Sequence, residues 1–133
     1  MKSMSESVFT KIVRGDIPAH KVYEDDETLA FLDINPLTKG HTLVITKAEI
    51  DHLDDCTPEL YAAVFATVQK VSKQLKATLK PLRIALAVHG FDVPHAHVHV
   101  IPVYQRGDLK FPERPEIEPD HAALADLASL IRL

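Results

Sequence analysis

The spacing of apolar positions divides the chain into short elements around one long helix. Val8, Phe9, Ile12 and Val13 follow Ser7 at helical spacing and Gly15 suits a stop, so a short amphipathic helix is expected there. Lys21 to Glu24 and Thr28 to Leu32 read as two strands joined by the acidic turn Asp25-Asp26-Glu27. Asp33-Ile34-Asn35-Pro36 is a turn, because the residue before proline is driven out of the helical region. Gly40 then opens a strand from His41 to Ile45. Thr57-Pro58-Glu59 starts a helix with a hydroxyl cap, a proline at the first position and a carboxylate in the first turn. Leu60, Val64, Val68, Val71, Leu75 and Leu79 recur at three- and four-residue steps, which predicts one long amphipathic helix closed by Pro81. Arg83 to Val88 and His95 to Ile101 predict two more strands, the second stopped by Pro102. Asp120 caps a last helix with Leu124, Leu127, Leu130 and Ile131 on one face, and Gly107 to Pro119 is an extended arm. This segregated order means α+β with a mainly antiparallel sheet.

The bulk numbers leave that picture intact and narrow the function. A chain of 133 residues is the size of one compact domain. Its net charge of −4 offers no broad basic surface for a nucleic-acid backbone, although a small phosphorylated ligand needs only a local site. Cys56 is the single cysteine, so no disulfide scaffold forms, and its neighbours Asp54 and Asp55 would not activate a thiol. Met1 to Ser7 has no apolar run of a signal peptide, and no segment reaches bilayer-spanning length, so the reduced cytoplasm is the expected compartment. The composition feature that stands out is 8 His.

Three of those histidines fall in Pro94-His95-Ala96-His97-Val98-His99-Val100-Ile101-Pro102. On a strand, alternate side chains share a face, so His95, His97 and His99 project together, about 7 Å apart, with Ala96, Val98 and Val100 behind them. Three readings compete: a His-rich solvated face, a metal site using two of the nitrogens, and nucleophilic catalysis on phosphorus. A straight strand does not easily converge three imidazoles on one ion, and no carboxylate or thiolate partner is evident. A neutral imidazole can attack a phosphoryl group, while neighbouring imidazoles hold its tautomer, donate to phosphate oxygens and protonate a leaving group.

His-x-His-x-His followed by two apolar residues resembles the signature of the histidine triad (HIT) family. Phe31-Leu32-Asp33-Ile34-Asn35-Pro36, Gly40 to Lys47, Asp16-Ile17-Pro18 and Tyr23-Glu24-Asp25 resemble other family segments in order and spacing. The match covers most of residues 7–105, leaving 106–133 as a C-terminal arm and helix of a single domain. The resemblance implies a HIT-like fold, a homodimer with one ten-stranded sheet, and a purine nucleotide as partner. It assigns His97 as nucleophile, His95 and His99 as contacts to phosphate or leaving group, and His41 as their support from the adjacent strand. Asp33 matches the acceptor of the ribose hydroxyls. Val8, Phe9, Ile12, Phe31, Ile34 and Leu43 match the base pocket. The activity implied is hydrolysis of a nucleoside 5′-phosphoramidate or related nucleotidyl adduct through a nucleotidyl-histidine. Dinucleoside polyphosphate hydrolysis, or nucleotide binding with weak turnover, are the alternatives. No cofactor is expected.

The chain also departs from the family pattern. The segment before the triad, Val88 to Pro94, is short, and Val88, Phe91 and Asp92 stand where polar phosphate contacts are common. Some members hold a structural zinc with an N-terminal CxxC and two histidines. Here Ser7 to Thr10 supplies no thiolate, Glu49 stands at the extra histidine position and His52 is three residues on, so no structural zinc is expected. His20 and His121 read as surface histidines.

Overall fold

The computed structural model describes residues 6–109 and 118–133; most of the expected arm, including Pro112 and Pro115, lies outside them. The elements run α1 (Val8–Val13), β1 (Lys21–Glu24), β2 (Thr28–Leu32), β3 (Thr42–Thr46), a 3-10 turn at Leu53–Asp55, α2 (Pro58–Leu79), β4 (Arg83–Ala87), β5 (His97–Val103) and α3 (His121–Ile131). The fold is α+β. All four strand pairings are antiparallel, in the order β1-β2-β3-β5-β4.

Local chemistry explains the boundaries. Asp25 Oδ1 accepts from the Glu27 and Thr28 amides at 2.9 and 2.8 Å, which closes the β1–β2 hairpin. Thr57 Oγ1 accepts from the Leu60 amide at 3.1 Å and caps α2, with Pro58 behind it. At the other end Lys80 turns left-handed, at φ 54°, before Pro81. Asp120 caps α3 through the Ala123 amide.

Two sheet faces carry two cores. Val22, Ala30, Leu32, Val44, Val98 and Val100 face α2 and α3, meeting Val64, Val68, Val71, Leu75, Leu124, Ala128 and Ile131. Leu29, Phe31, Leu43 and Ile45 face the other way, under Phe9 and Ile12 of α1. Covering both faces buries every residue of β2 and β3. Their sequences therefore read as continuous apolar runs rather than alternating ones.

Several boundaries and faces differ from the sequence reading. Pro102 does not stop β5, which runs on to Val103. The β3 ladder ends opposite Val100, so Pro102 has no β3 neighbour that needs an amide proton from it. Its carbonyl accepts from Thr38 Oγ1 at 2.6 Å. His95 precedes β5 because the Ala96 amide donates to Ile50 and not into a regular ladder. Leu130 is 59% exposed, and Ala128 takes the buried place on α3. Leu127 and Leu130 line the α3 side of a groove of about 500 Å³, with Ile34, Pro36, Lys39 and Gly40 across from them.

Candidate active site

The antiparallel register carries the histidines onto the α1 face. Leu29 pairs with Ile45 and Ile45 with His97; Phe31 pairs with Leu43 and Leu43 with His99. Each cross-strand row thus runs from apolar side chains to an imidazole. His97 and His99 are 5% and 3% exposed, and His41 and His95 are fully buried. Val8, Phe9, Ile12, Phe31, Asp33, Ile34 and Leu43 line one cavity of about 240 Å³ together with His97 and His99. Phe9 sits edge-on to Phe31, His95 and His97, with ring centroids 5.4, 5.8 and 5.1 Å away. The residues singled out in the sequence therefore converge on one place.

Unambiguous donors and acceptors fix the tautomers of neutral rings. His97 Nδ1–H donates to the carbonyl of His95, which leaves the lone pair on Nε2. His95 Nε2–H donates to the Thr46 carbonyl at 2.7 Å, so its Nδ1 accepts from the Ser7 hydroxyl at 2.6 Å. The Leu37 amide donates to His41 Nδ1 at 3.1 Å. The His41 proton therefore lies on Nε2 and is donated to His99 Nδ1 at 2.9 Å. A neutral His99 then carries its proton on Nε2. Burial holds both His95 and His97 below the ordinary imidazole range, against the raising effect of the carbonyls they bond. Neutral imidazole is the form in which Nε2 of His97 is nucleophilic.

Asp33 closes the site from the end of β2. Its Oδ1 accepts from the Asn35 amide at 2.8 Å, as a turn aspartate does, while Oδ2 stands 3.6 Å from His41 Nε2. Asp33, His41 and His99 form a two-imidazole, one-carboxylate group with ligand atoms within 4.8 Å. A metal reading confined to the strand overlooked this group. Both His41 nitrogens and Nδ1 of His99 are already engaged, with Leu37 and with each other.

The family's structural zinc does not fit this chain. Ser7, Thr10, Glu49 and His95 do converge, but as a hydrogen-bonded clasp. Glu49 Oε1 accepts from the Ser7 amide at 2.9 Å and the Thr10 hydroxyl at 2.7 Å. Ser7 Oγ caps α1 through the Thr10 amide at 3.0 Å. Both His95 nitrogens are engaged, and two hydroxyls stand in place of thiolates. His52 is elsewhere, on the rim beside Asp51. Cys56 is raised above the ordinary thiol range by burial and by Asp55 and Asp54, consistent with an inert thiol.

One imidazole was missed. His89 stacks on His99 with centroids 4.8 Å apart and planes 12° from parallel, and lies 6.4 Å from His97. The sequence pattern held no signal for it; the register supplies one, since β4 pairs Ala87 with His99, and His89, two residues on, has the same parity as the triad. Of the three departures, Val88 and Phe91 point outward, 50% and 90% exposed, and Asp92 lines the apolar cavity. His121 is exposed and His20 half-buried, as surface histidines, and their rings stack, with Nε2 and Nδ1 3.0 Å apart, tying α3 to the approach of β1.

Comparison with known proteins agrees with this geometry. The family model described as "HIT domain" matches residues 14–106. "Protein hit" of Bacillus subtilis is 41% identical over 113 residues, covering 81% of this chain and 78% of that protein. "Adenylylsulfatase HINT3" of Arabidopsis thaliana is 38% identical over 110 residues, covering 79% of this chain and 56% of that protein. The crystal structure of a Zn-bound histidine triad family protein from Mycobacterium smegmatis superposes with a TM-score of 0.79 at 34% identity, over 98% of this chain and 93% of that one. The chain belongs to the histidine triad (HIT) family.

Proposed function

We propose that the chain is a nucleotide hydrolase that passes a nucleotidyl group through His97. The observation that carries this reading is the bond from His97 Nδ1–H to the His95 carbonyl, which leaves a neutral, buried Nε2 lone pair at the wall of the apolar cavity. The purine lies among Phe9, Ile12, Phe31 and Leu43, with Val8 and Ile34 at the rim, and the ribose hydroxyls donate to Asp33. His97 Nε2 attacks the α-phosphorus; the bond to the leaving group breaks and a phosphorus–nitrogen bond forms. The His41-to-His99 relay presents a His99 Nε2–H to the developing phosphate charge. Water then attacks phosphorus, the bond to His97 breaks, and a nucleoside monophosphate leaves. The imidazole supplies the nucleophile, so the covalent step needs no metal.

The substrate class is a nucleoside 5′-phosphoramidate or acyl-nucleotide adduct, with dinucleoside polyphosphates as the alternative. A relative named for adenylylsulfatase activity supports chemistry at an adenylyl phosphorus. The outward Val88 and Phe91 and the acid at Asp92 favour a second reading, a nucleotide binder with weak turnover. A homodimer is supported by the edge strand β4, which carries exposed Leu86 and is flanked by exposed Leu82 and Val88, where a second copy would extend five strands to ten. Among the described residues no helix is long and apolar enough to cross a membrane; a cytoplasmic location is the corresponding reading.

The test is turnover of adenosine 5′-phosphoramidate, with EDTA present, by wild type and His97→Ala. Wild-type turnover lost by about 10³-fold or more in the variant supports the reading. AMP binding without wild-type turnover supports the binder, and turnover retained in His97→Ala removes the nucleophile.

A further inference from the structure

A second cavity, of about 230 Å³, lies between the 51–54 turn and the 88–90 loop, and His97 is a wall of both this cavity and the apolar one. We propose that this second cavity receives the leaving group, that the group it takes is an amine, and that His89 gives that amine its proton. The inference rests on the hydrolase reading above and names the class of leaving group for it.

Position comes first. A phosphorus held at His97 with its nucleoside in the apolar cavity has its remaining substituent directed away from that cavity. The neighbouring space is bounded by His89, Gly90, His52, Asp51 and Asp54. At about 30 Å³ per water, it has room for roughly seven waters, or an amine of several heavy atoms.

Charge selects the class. Among the described residues no Lys or Arg lines this cavity, while Asp51 and Asp54 do. A departing polyphosphate carries two or more negative charges and would meet two carboxylates with no counter-charge. An alkylamine leaves neutral after one proton joins its nitrogen and takes a second from water to become an ammonium, which those carboxylates attract.

The chemistry calls for an acid. Alkylamines do not leave phosphorus as amide anions, so cleavage needs a proton delivered to nitrogen as the bond breaks. His97 is occupied as nucleophile and His99 is bonded to His41. His89 is half-buried and held parallel against His99, and it is the remaining imidazole beside both. In the first step the phosphorus–amine bond breaks, its electron pair stays on nitrogen, and the His89 imidazolium proton joins that nitrogen while phosphorus bonds His97 Nε2. In the second step water adds to phosphorus, its proton passes to His89, and the electron pair of the phosphorus–His97 bond returns to the imidazole. Atoms and charge balance with no further reactant, and His89 ends as it began.

The experiment compares kcat/KM of wild type, His89→Gln and His89→Asn on two adenosine 5′-phosphoramidates, one of an alkyl diamine and one of an electron-poor arylamine. Melting temperature and AMP affinity are measured on each variant. The expected result is a loss of roughly 100-fold on the alkyl substrate and no more than about a tenth of that loss on the aryl one, because the aryl group leaves with little proton assistance. The double variant Asp51→Asn/Asp54→Asn is expected to raise KM for the diamine substrate about tenfold more than for the aryl one. Wild-type turnover that dies in His97→Ala, but with equal losses on both substrates in both His89 variants, overturns this inference and leaves the hydrolase reading standing. Wild type inactive on both substrates overturns both.

Discussion

Replacing Gly40 by alanine should cost far more than one methyl group suggests. Gly40 adopts φ +93°, and a Cβ built there lies 2.6 Å from Leu79 Cδ1 and 3.2 Å from Leu75 Cδ2 and Pro102 Cγ. Two costs add. The left-handed backbone penalises an L side chain by about 1–2 kcal/mol. Overpacking adds about 1–3 kcal/mol, toward the lower end here because the closest atom is the tip of a partly buried leucine. The expected total is about 2–4 kcal/mol, read in urea as a midpoint lower by about 1–2 M at unchanged slope. A double-mutant cycle separates the two parts. In a Leu79→Ala background the clash is relieved, so Gly40→Ala should cost only the backbone share, roughly 1 kcal/mol less than in wild type. A cost under about 0.5 kcal/mol in wild type, or an identical cost in both backgrounds, would refute the reasoning.

Two further outcomes follow from the buried histidines and the sheet edge. His95 and His97 are held below the usual imidazole range by burial, so below pH of about 6.5 the unfolded chain binds more protons than the native one. Stability should therefore fall as pH drops from about 6.5, levelling only below the native values, and His95→Gln should shrink the difference between urea midpoints at pH 7.5 and 5.0. A wild-type midpoint flat over that range contradicts the burial argument. Leu86→Glu, on the outer strand β4, should convert a dimer to a 14.8 kDa monomer by light scattering. A wild-type mass of one chain, or a mass unchanged by the substitution, removes β4 as the interface.

The elements legible in the sequence were those whose signals are local. The Asp25-Asp26-Glu27 turn and the Thr57-Pro58 cap act within a few residues and lie where their spacing put them, and His97 and His99 alternate along β5 as expected, although His95 falls before the strand. What the pattern could not supply came from pairing between distant segments. The expectation that Pro102 ends a strand ignored which side of β5 still had a neighbour. Leu130 falls on the apolar stripe of α3, but the sheet is covered before it is reached. His89 sits in a loop without periodicity, and only the Ala87–His99 register shows its parity. Ser7, Thr10 and Glu49 showed only that a thiolate site was missing; that they bond one another and His95 depends on folding segments 88 positions apart.

The six residues of α1 are too few to persist as an isolated helix. They form the wall of the proposed base pocket, and they are anchored through Ser7 to Glu49 and His95, 42 and 88 positions further along the chain. Ser7 thus precedes both of its partners by long stretches of chain. Closing so long a loop gains nothing until both anchors are in place, so the helix docks late in folding. Changes at Ser7, Thr10 or Glu49 then act on the rate of unfolding more than on the rate of folding. A chain can in this way complete its sheet while the proposed base pocket is still unmade, and tight binding in that pocket becomes a measure of whether the last step of assembly has taken place.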